Sequence, residues 1–190
     1  KAQEALREEA MRDPLTHLWN RRTIFNRLEA ELKVSKSSGK PVGVILADLD
    51  HFKQINDTKG HLFGDHVLLE TVKAMQSAMR PTDSIGRFGG EEFLMVVPGC
   101  GFDETIGAAD RIRAAVESMQ VSRGAESIRV TISLGCTASI PSRDDSLEML
   151  LRTSDEALYE SKREGRNRVS ALPVDLYAAS LREIDWEIRQ

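Results

Sequence analysis

Two short acidic segments carry the residues best suited to chemistry. Asp48-Leu49-Asp50 closes an almost wholly apolar run, PVGVILADL at 41–49, and Gly89-Gly90-Glu91-Glu92 follows an aromatic residue later in the chain. Side chains alternate along a strand, so Asp48 and Asp50 are expected on the same side of it. Taken alone, that pair is also what a chain leaving a sheet into solvent would show. A glycine pair lets backbone approach a ligand closely, and the adjacent acids could hold a hard cation; an exposed acidic turn reads the same way. Together the two segments point further. Mg²⁺ typically takes one or two carboxylates plus substrate phosphates, and paired metals of this kind activate a hydroxyl and neutralise a leaving pyrophosphate.

These groups need a scaffold. The 41–49 run is short, apolar and bounded by Pro41 and polar residues, which predicts a central strand buried on both faces. A helix is expected from near Asn20, with Ile24, Phe25, Leu28 and Leu32 on one face. A helical turn over 51–57 and a break at Lys59-Gly60 precede a helix to about 79, with Leu68, Val72, Met75 and Met79 in register. Strands at 84–88 and 92–97 are joined across Gly89-Gly90, where a hairpin is expected to need positive φ. A helix over 103–119, one strand over 128–138, a helix capped by Ser146 and a short strand at 168–172 complete the order. That order predicts an α+β fold: a ferredoxin-like, nucleotidyl-cyclase-like βαββαβ core, a central antiparallel sheet flanked by helices, with an N-terminal linker helix.

Composition narrows the function. The 190 residues suit one domain, and 41% hydrophobic with 29% charged residues reads as ordinary globular protein. No apolar run approaches a membrane span, and a net charge of −4 gives no support to nucleic-acid binding. Cys100 and Cys136 have no metal-ligand spacing and are expected as buried, reduced thiols.

Four ordered blocks now carry a resemblance: DPLTHLWNRR (13–22), DLDHFKQINDTKGHLFGD (48–65), RFGGEEF (87–93) and ALYESKREGRNRV (157–169). The sequence resembles a GGDEF-family diguanylate cyclase in its GGEEF form, from about Asp13 to Val169. The division it implies is 1–12 as the end of a signalling helix, 13–172 as the cyclase domain, and 173–190 as a helical tail. The resemblance implies that two GTP condense into cyclic di-GMP with release of pyrophosphate. Asp48, Glu91 and the Leu49 carbonyl would hold metal, two Mg²⁺ per half-site with Mn²⁺ as a substitute. Glu92 would assist, and either glutamate could deprotonate the attacking hydroxyl, with Glu91 favoured. Gly89 and Gly90 would lie against the triphosphate.

By the same resemblance Asn56 and Asp65 would read guanine, with His61 nearby. Lys162 and Arg166 would meet the triphosphate, with Lys53 a further candidate. By residue type alone, Asn56-Asp57 could simply shape a turn, and the 162–166 run could decorate a helix C-terminus. Arg80-x-x-Asp83 matches an inhibitory product-binding site, to which Arg87 could contribute. Arginine suits that role because its planar fork grips phosphate and stacks on guanine. Catalysis would need a homodimer of half-sites, fed by an upstream sensor or receiver segment. A cytoplasmic location is implied, with membrane anchoring open to upstream segments, and a phosphodiesterase domain could follow. The rival readings are a catalytically silent cyclic di-GMP receptor and a cyclase using another base.

Overall fold

A computed structural model describes residues 8–174, apart from 125 and 144. In chain order the elements are α1 (Arg21–Ser38), β1 (Val42–Leu49), α2 (Phe52–Lys59), α3 (His61–Ser77), β2 (Ser84–Arg87), β3 (Glu92–Pro98), α4 (Phe102–Ser118), β4 (Val121–Arg123), β5 (Glu126–Ile128), β6 (Ile132–Ala138), α5 (Leu147–Arg163) and β7 (Val169–Ala171).

The apolar 41–49 run forms the middle strand of a five-stranded sheet ordered β2-β3-β1-β6-β7. β1 pairs antiparallel with β3 on one side and with β6 on the other. Its residues are buried on both faces, as the unbroken apolar pattern predicts. Ile45, Ala47 and Leu49 join the core with α3 and α4, while Val42, Val44 and Leu46 join the core with α1 and α5. The four strands β6-β1-β3-β2, with their intervening helices, are the βαββαβ core that the sequence predicts. β7 adds one parallel pair beside β6.

Local chemistry sets the helix boundaries. Asn20 caps α1 by accepting from the Thr23 amide, and Ser146 caps α5 by accepting from Met149. Gly60, at φ 81°, separates α2 from α3 where the Lys59-Gly60 break is expected. The single strand expected over 128–138 is instead two. β5 belongs to a separate hairpin with β4, turned at Gly124 (φ 64°), and β6 begins only at Ile132. The interruption falls where Thr131 is drawn to Asp50, its carbonyl accepting from the Asp50 amide at 2.9 Å. Three-residue strands are too short to show an alternation in sequence.

Residues 8–10 are helical, but the expected linker helix does not reach residue 12, where Arg12 instead bridges Trp19; residues 1–7 and the tail from 175 lie outside the described residues. Among the described residues no helix is long and apolar enough to cross a membrane. Cys100 and Cys136 are free and buried, and burial pushes the Cys136 thiol up to about 12.

One glycine fixes how closely α5 lies on the sheet. A Cβ on Gly135 of β6 would meet the α5 backbone, with Leu158 Cα only 2.6 Å away. Helix backbone cannot yield as a flexible side chain can. Gly135→Ala is therefore expected to destabilise the domain by about 2–3 kcal/mol, read as a lowered Tm. An unchanged Tm would show that α5 does not depend on this contact.

Candidate active site

The antiparallel register sets Asp48 on β1 directly opposite Glu92 on β3. Facing residues on such strands have Cβ atoms about 4.5–5.5 Å apart, so two carboxylates are forced together. Both are half-buried, on the sheet face covered by α1 and α5. The Leu49 amide donates to the Glu91 carbonyl at 3.2 Å, which ties the hairpin tip to the end of β1. Asp48, Leu49, Glu91 and Glu92 thus converge at one corner of the sheet.

The β2–β3 hairpin closes differently from expectation. The amides of Phe88 and Gly89 both donate to the Glu92 carbonyl, at 2.8 and 3.2 Å. Neither Gly89 nor Gly90 is among the positive-φ residues, so the turn does not need glycine for that reason. Gly89 leaves room for the Glu92 carboxylate, which occupies the position a Cβ would take and would have to move aside for one. Gly90 faces open space, leaving its backbone accessible to a ligand.

Arg87 braces this turn. Its Nε and Nη2 donate to the Gly90 carbonyl at 3.2 and 2.7 Å, and Nη1 donates to Asp13 Oδ1 at 3.1 Å. Asp13 also accepts from the Thr16 amide and hydroxyl at 2.8 and 2.7 Å. Burial works against its charge, but these bonds and Arg87 outweigh it and hold the carboxyl below its ordinary value.

Two cations face the acidic corner. Lys162, in the last turn of α5, places Nζ 2.8 Å from Asp48 Oδ2. Arg166 follows in the loop after α5, and its positive charge favours ionised Asp48. Burial nevertheless pushes Asp48 above the ordinary carboxylate value, despite Lys162. Glu91 and Glu92 are raised as well, first by burial and then by the charge on Asp48. Among the described residues no three His, Cys, Asp or Glu side chains are grouped to form a complete metal cage. Asp48, Glu91 and the Leu49 carbonyl could supply two carboxylates and a backbone oxygen to a cation that takes the rest of its shell from phosphates.

The other expected residues fall into two groups. Asn56 rests its side-chain amide where a Cβ on Gly64 would lie, so α2 sets it one residue from Asp65. Both are half-buried, whereas His61 and Lys53 are exposed. Arg80 and Asp83 form a turn before β2, with Asp83 Oδ2 accepting from the Arg80 amide at 2.8 Å. Asp83 Oδ1 is buried without a partner, and the Arg80 guanidinium is exposed, with Nη1 3.5 Å from Cys100 Sγ. Arg87 does not join them. It stands at the other end of β2, about 13 Å along the strand, bound to Asp13 and Gly90.

Asp50 departs most from its sequence reading. It lies past the end of β1, and its carboxylate is taken up by Thr131, Ser133 and the Asn167 amide rather than facing the acidic corner. Asp13 and the Asn167 contacts were not apparent as site supports in sequence. The only hint was Arg-Asn directly after Gly165.

The diguanylate cyclase GGDEF-domain family profile matches residues 10–168. The chain belongs to the GGDEF-domain family. This GGDEF domain is 40% identical over 164 residues to the response regulator PleD of Caulobacter vibrioides, covering 85% of this chain and 36% of PleD. It thus spans little more than a third of that relative's length. The GGDEF domain of DgcB from Caulobacter crescentus, solved in complex with c-di-GMP, superposes with TM-score 0.80 at 33% identity, covering 85% of this chain and 93% of that one. The active GGEEF domain of a diguanylate cyclase from Vibrio cholerae superposes with TM-score 0.74 at 32% identity, covering 80% and 96%.

The raised carboxyls give a pH test. A group whose folded pKa lies above its unfolded one holds a proton that the unfolded chain has released, so ionising it costs stability. That cost is absent below the ordinary carboxylate value, grows as pH rises through the folded values of Asp48, Glu91 and Glu92, and is complete above them. In metal-free buffer Tm is expected to fall across this window less steeply for Glu91→Gln than for the parent. Mg²⁺ at neutral pH is expected to raise the parent's Tm. Identical pH slopes in calorimetry would show that Glu91 is not part of the repelling set.

Proposed function

We propose that this GGDEF domain is a diguanylate cyclase that joins two GTP into cyclic di-GMP with release of two pyrophosphates. One observation carries the reading: three carboxyls held above their ordinary values, Asp48, Glu91 and Glu92, lie beside an open glycine turn and face Lys162 and Arg166. That combination suits a triphosphate and its counter-cation. The family similarity supports cyclic di-GMP synthesis in general.

In the proposed half-site Gly89 and Gly90 lie along the triphosphate, and Lys162 and Arg166 neutralise it, with Lys53 an outer cation. Asp48, Glu91 and the Leu49 carbonyl would hold two Mg²⁺, which lower the pKa of a bound hydroxyl and offset charge on the leaving group. Asp65 accepts from guanine N1–H and N2–H₂, a donor pair that adenine lacks, and Asn56 and His61 complete the base contact. Leaving such an acid unpaired would cost ATP about 1–3 kcal/mol per lost bond.

The ring forms by two equivalent steps in a two-fold homodimer. In each, the 3′-hydroxyl of one GTP attacks the α-phosphate of the other. A new P–O ester bond forms, the bond to the β-phosphate breaks, and pyrophosphate leaves. Glu91 takes the hydroxyl proton as general base. Holding the half-sites face to face supplies rate through proximity. Product is proposed to inhibit at Arg80 and Asp83, where Asp83 holds the Arg80 backbone in a turn and the Arg80 side chain is exposed. An upstream segment would set dimer geometry, in the cytoplasm where GTP is available.

Purified protein given GTP and Mg²⁺ is expected to make cyclic di-GMP and pyrophosphate, measured by chromatography with mass detection. Glu91→Gln should lower the rate at least about 100-fold. No product from a confirmed dimer would favour the receptor reading. Separately, Arg80→Ala should relieve inhibition by added cyclic di-GMP; inhibition at the parent's level would remove Arg80 from the product site.

A further inference from the structure

Asp50 sits two residues beyond Asp48, yet its carboxylate serves a different part of the molecule. It is 4% exposed. Oδ1 accepts from Ser133 Oγ at 2.7 Å, and Oδ2 accepts from Thr131 Oγ1 at 2.7 Å and from the Asn167 amide at 3.1 Å. The hydroxyls belong to β6 and the residue before it. The amide belongs to the loop between α5 and β7.

That loop is strained. Gly165, Arg166 and Asn167 have φ values of 116°, 65° and 46° in succession. Ending a helix requires about one residue at positive φ, and glycine supplies it most easily. The two non-glycine residues beyond it exceed that need. Such backbone persists only where the surroundings over-determine it, and it clusters at functional sites. Here the over-determination is visible. The Arg166 amide donates to the Ser161 carbonyl at 3.0 Å. Asn167 Nδ2 donates to Glu117 Oε1 at 2.7 Å, and its Oδ1 accepts from Arg113 Nη1 at 3.3 Å. From the sheet side, Asp50 holds the Asn167 amide, and the Leu134 amide of β6 donates to the Arg168 carbonyl at 2.9 Å.

We infer that Asp50 is a positioning residue: it clamps the Arg166-Asn167 backbone in its left-handed form and so fixes where the Arg166 guanidinium stands beside the acidic corner. All three partners can donate to a carboxylate, whose charge strengthens each bond. An asparagine either turns its NH₂ to Ser133, which must then accept, and leaves only a neutral oxygen for the loop, or turns it to the loop and leaves the Asn167 amide unpaired. This inference rests on the proposed nucleotide site, since it gives Arg166 a phosphate to meet.

The test uses the full chain with Mg²⁺ and 3′-deoxy-GTP, which lacks the attacking hydroxyl, titrated by calorimetry. Asp50→Asn is expected to weaken binding about tenfold or more, as loss of a supporting contact commonly does. In an Arg166→Ala background the same change should have no further effect. An equal loss in both backgrounds would overturn the inference, because the acid would then act on the fold at large. Trypsin cleavage after Arg166, without nucleotide, reads the loop directly and should accelerate in Asp50→Asn. Unchanged cleavage would overturn the clamp. A parent that fails to bind 3′-deoxy-GTP would instead sink the nucleotide reading, which the cleavage assay separates from failure of the clamp. Should Asp50→Asn not fold, Thr131→Val removes one donor to the same oxygen and passes through the same measurements.

Discussion

The register of β1 against β3 places two carboxylates, Asp48 and Glu92, directly opposite each other at the end of a buried strand. Like charges so placed repel, and the surrounding protein withdraws the water that would screen them. Glu91 joins them through the turn, its carbonyl bonded to the Leu49 amide. The corner is therefore electrostatically incomplete, and the architecture around it brings positive charge to that point. Lys162 arrives on the last turn of α5 and Arg166 on the loop that follows.

Getting those cations there depends on close backbone approach. Gly135 lets α5 lie against β6 with no side chain between them. Without that contact the end of α5 would stand farther from the sheet, and Lys162 farther from Asp48. Gly89 does similar work in the hairpin, leaving room for the Glu92 carboxylate. In both places glycine matters because it lacks a Cβ, not because of its dihedral freedom.

Two ion-rich braces hold the corner from outside. Arg87 links the Gly90 carbonyl to Asp13, so the segment before α1 is joined to the glycine turn. Asp50 links β6 to the loop carrying Arg166. Each charged group is half-buried or buried and has several partners, the circumstance in which such contacts specify geometry strongly. The chain's two approaches to the site, before α1 and after α5, are thus each anchored to the sheet.

Much of this was legible in the sequence, for identifiable reasons. Helical periodicity revealed α1 and α3, the expected 103–119 helix corresponds to α4, an unbroken apolar run revealed β1, and the Ser146 cap marked the start of α5. The resemblance of four ordered blocks to the GGDEF family brought Asp48, Glu91, Asn56, Asp65, Lys162 and Arg166 forward as one set, and the family match over 10–168 covers those blocks. The tertiary structure decided what spacing cannot encode. It separated β5 from β6, because Thr131 turns to Asp50 rather than continuing a strand. It moved Arg87 from the neighbourhood of Arg80 to that of Asp13, partners 74 residues apart in the chain. It also divided two aspartates that looked equivalent. Asp48 remains in the strand and faces α5, while Asp50 lies beyond the strand end and is captured by donors from β6 and a distant loop. Sequence carries residue type and local period; which carboxylate stays short of partners and which is satisfied depends on contacts between distant segments, which exist only once the sheet has closed over them.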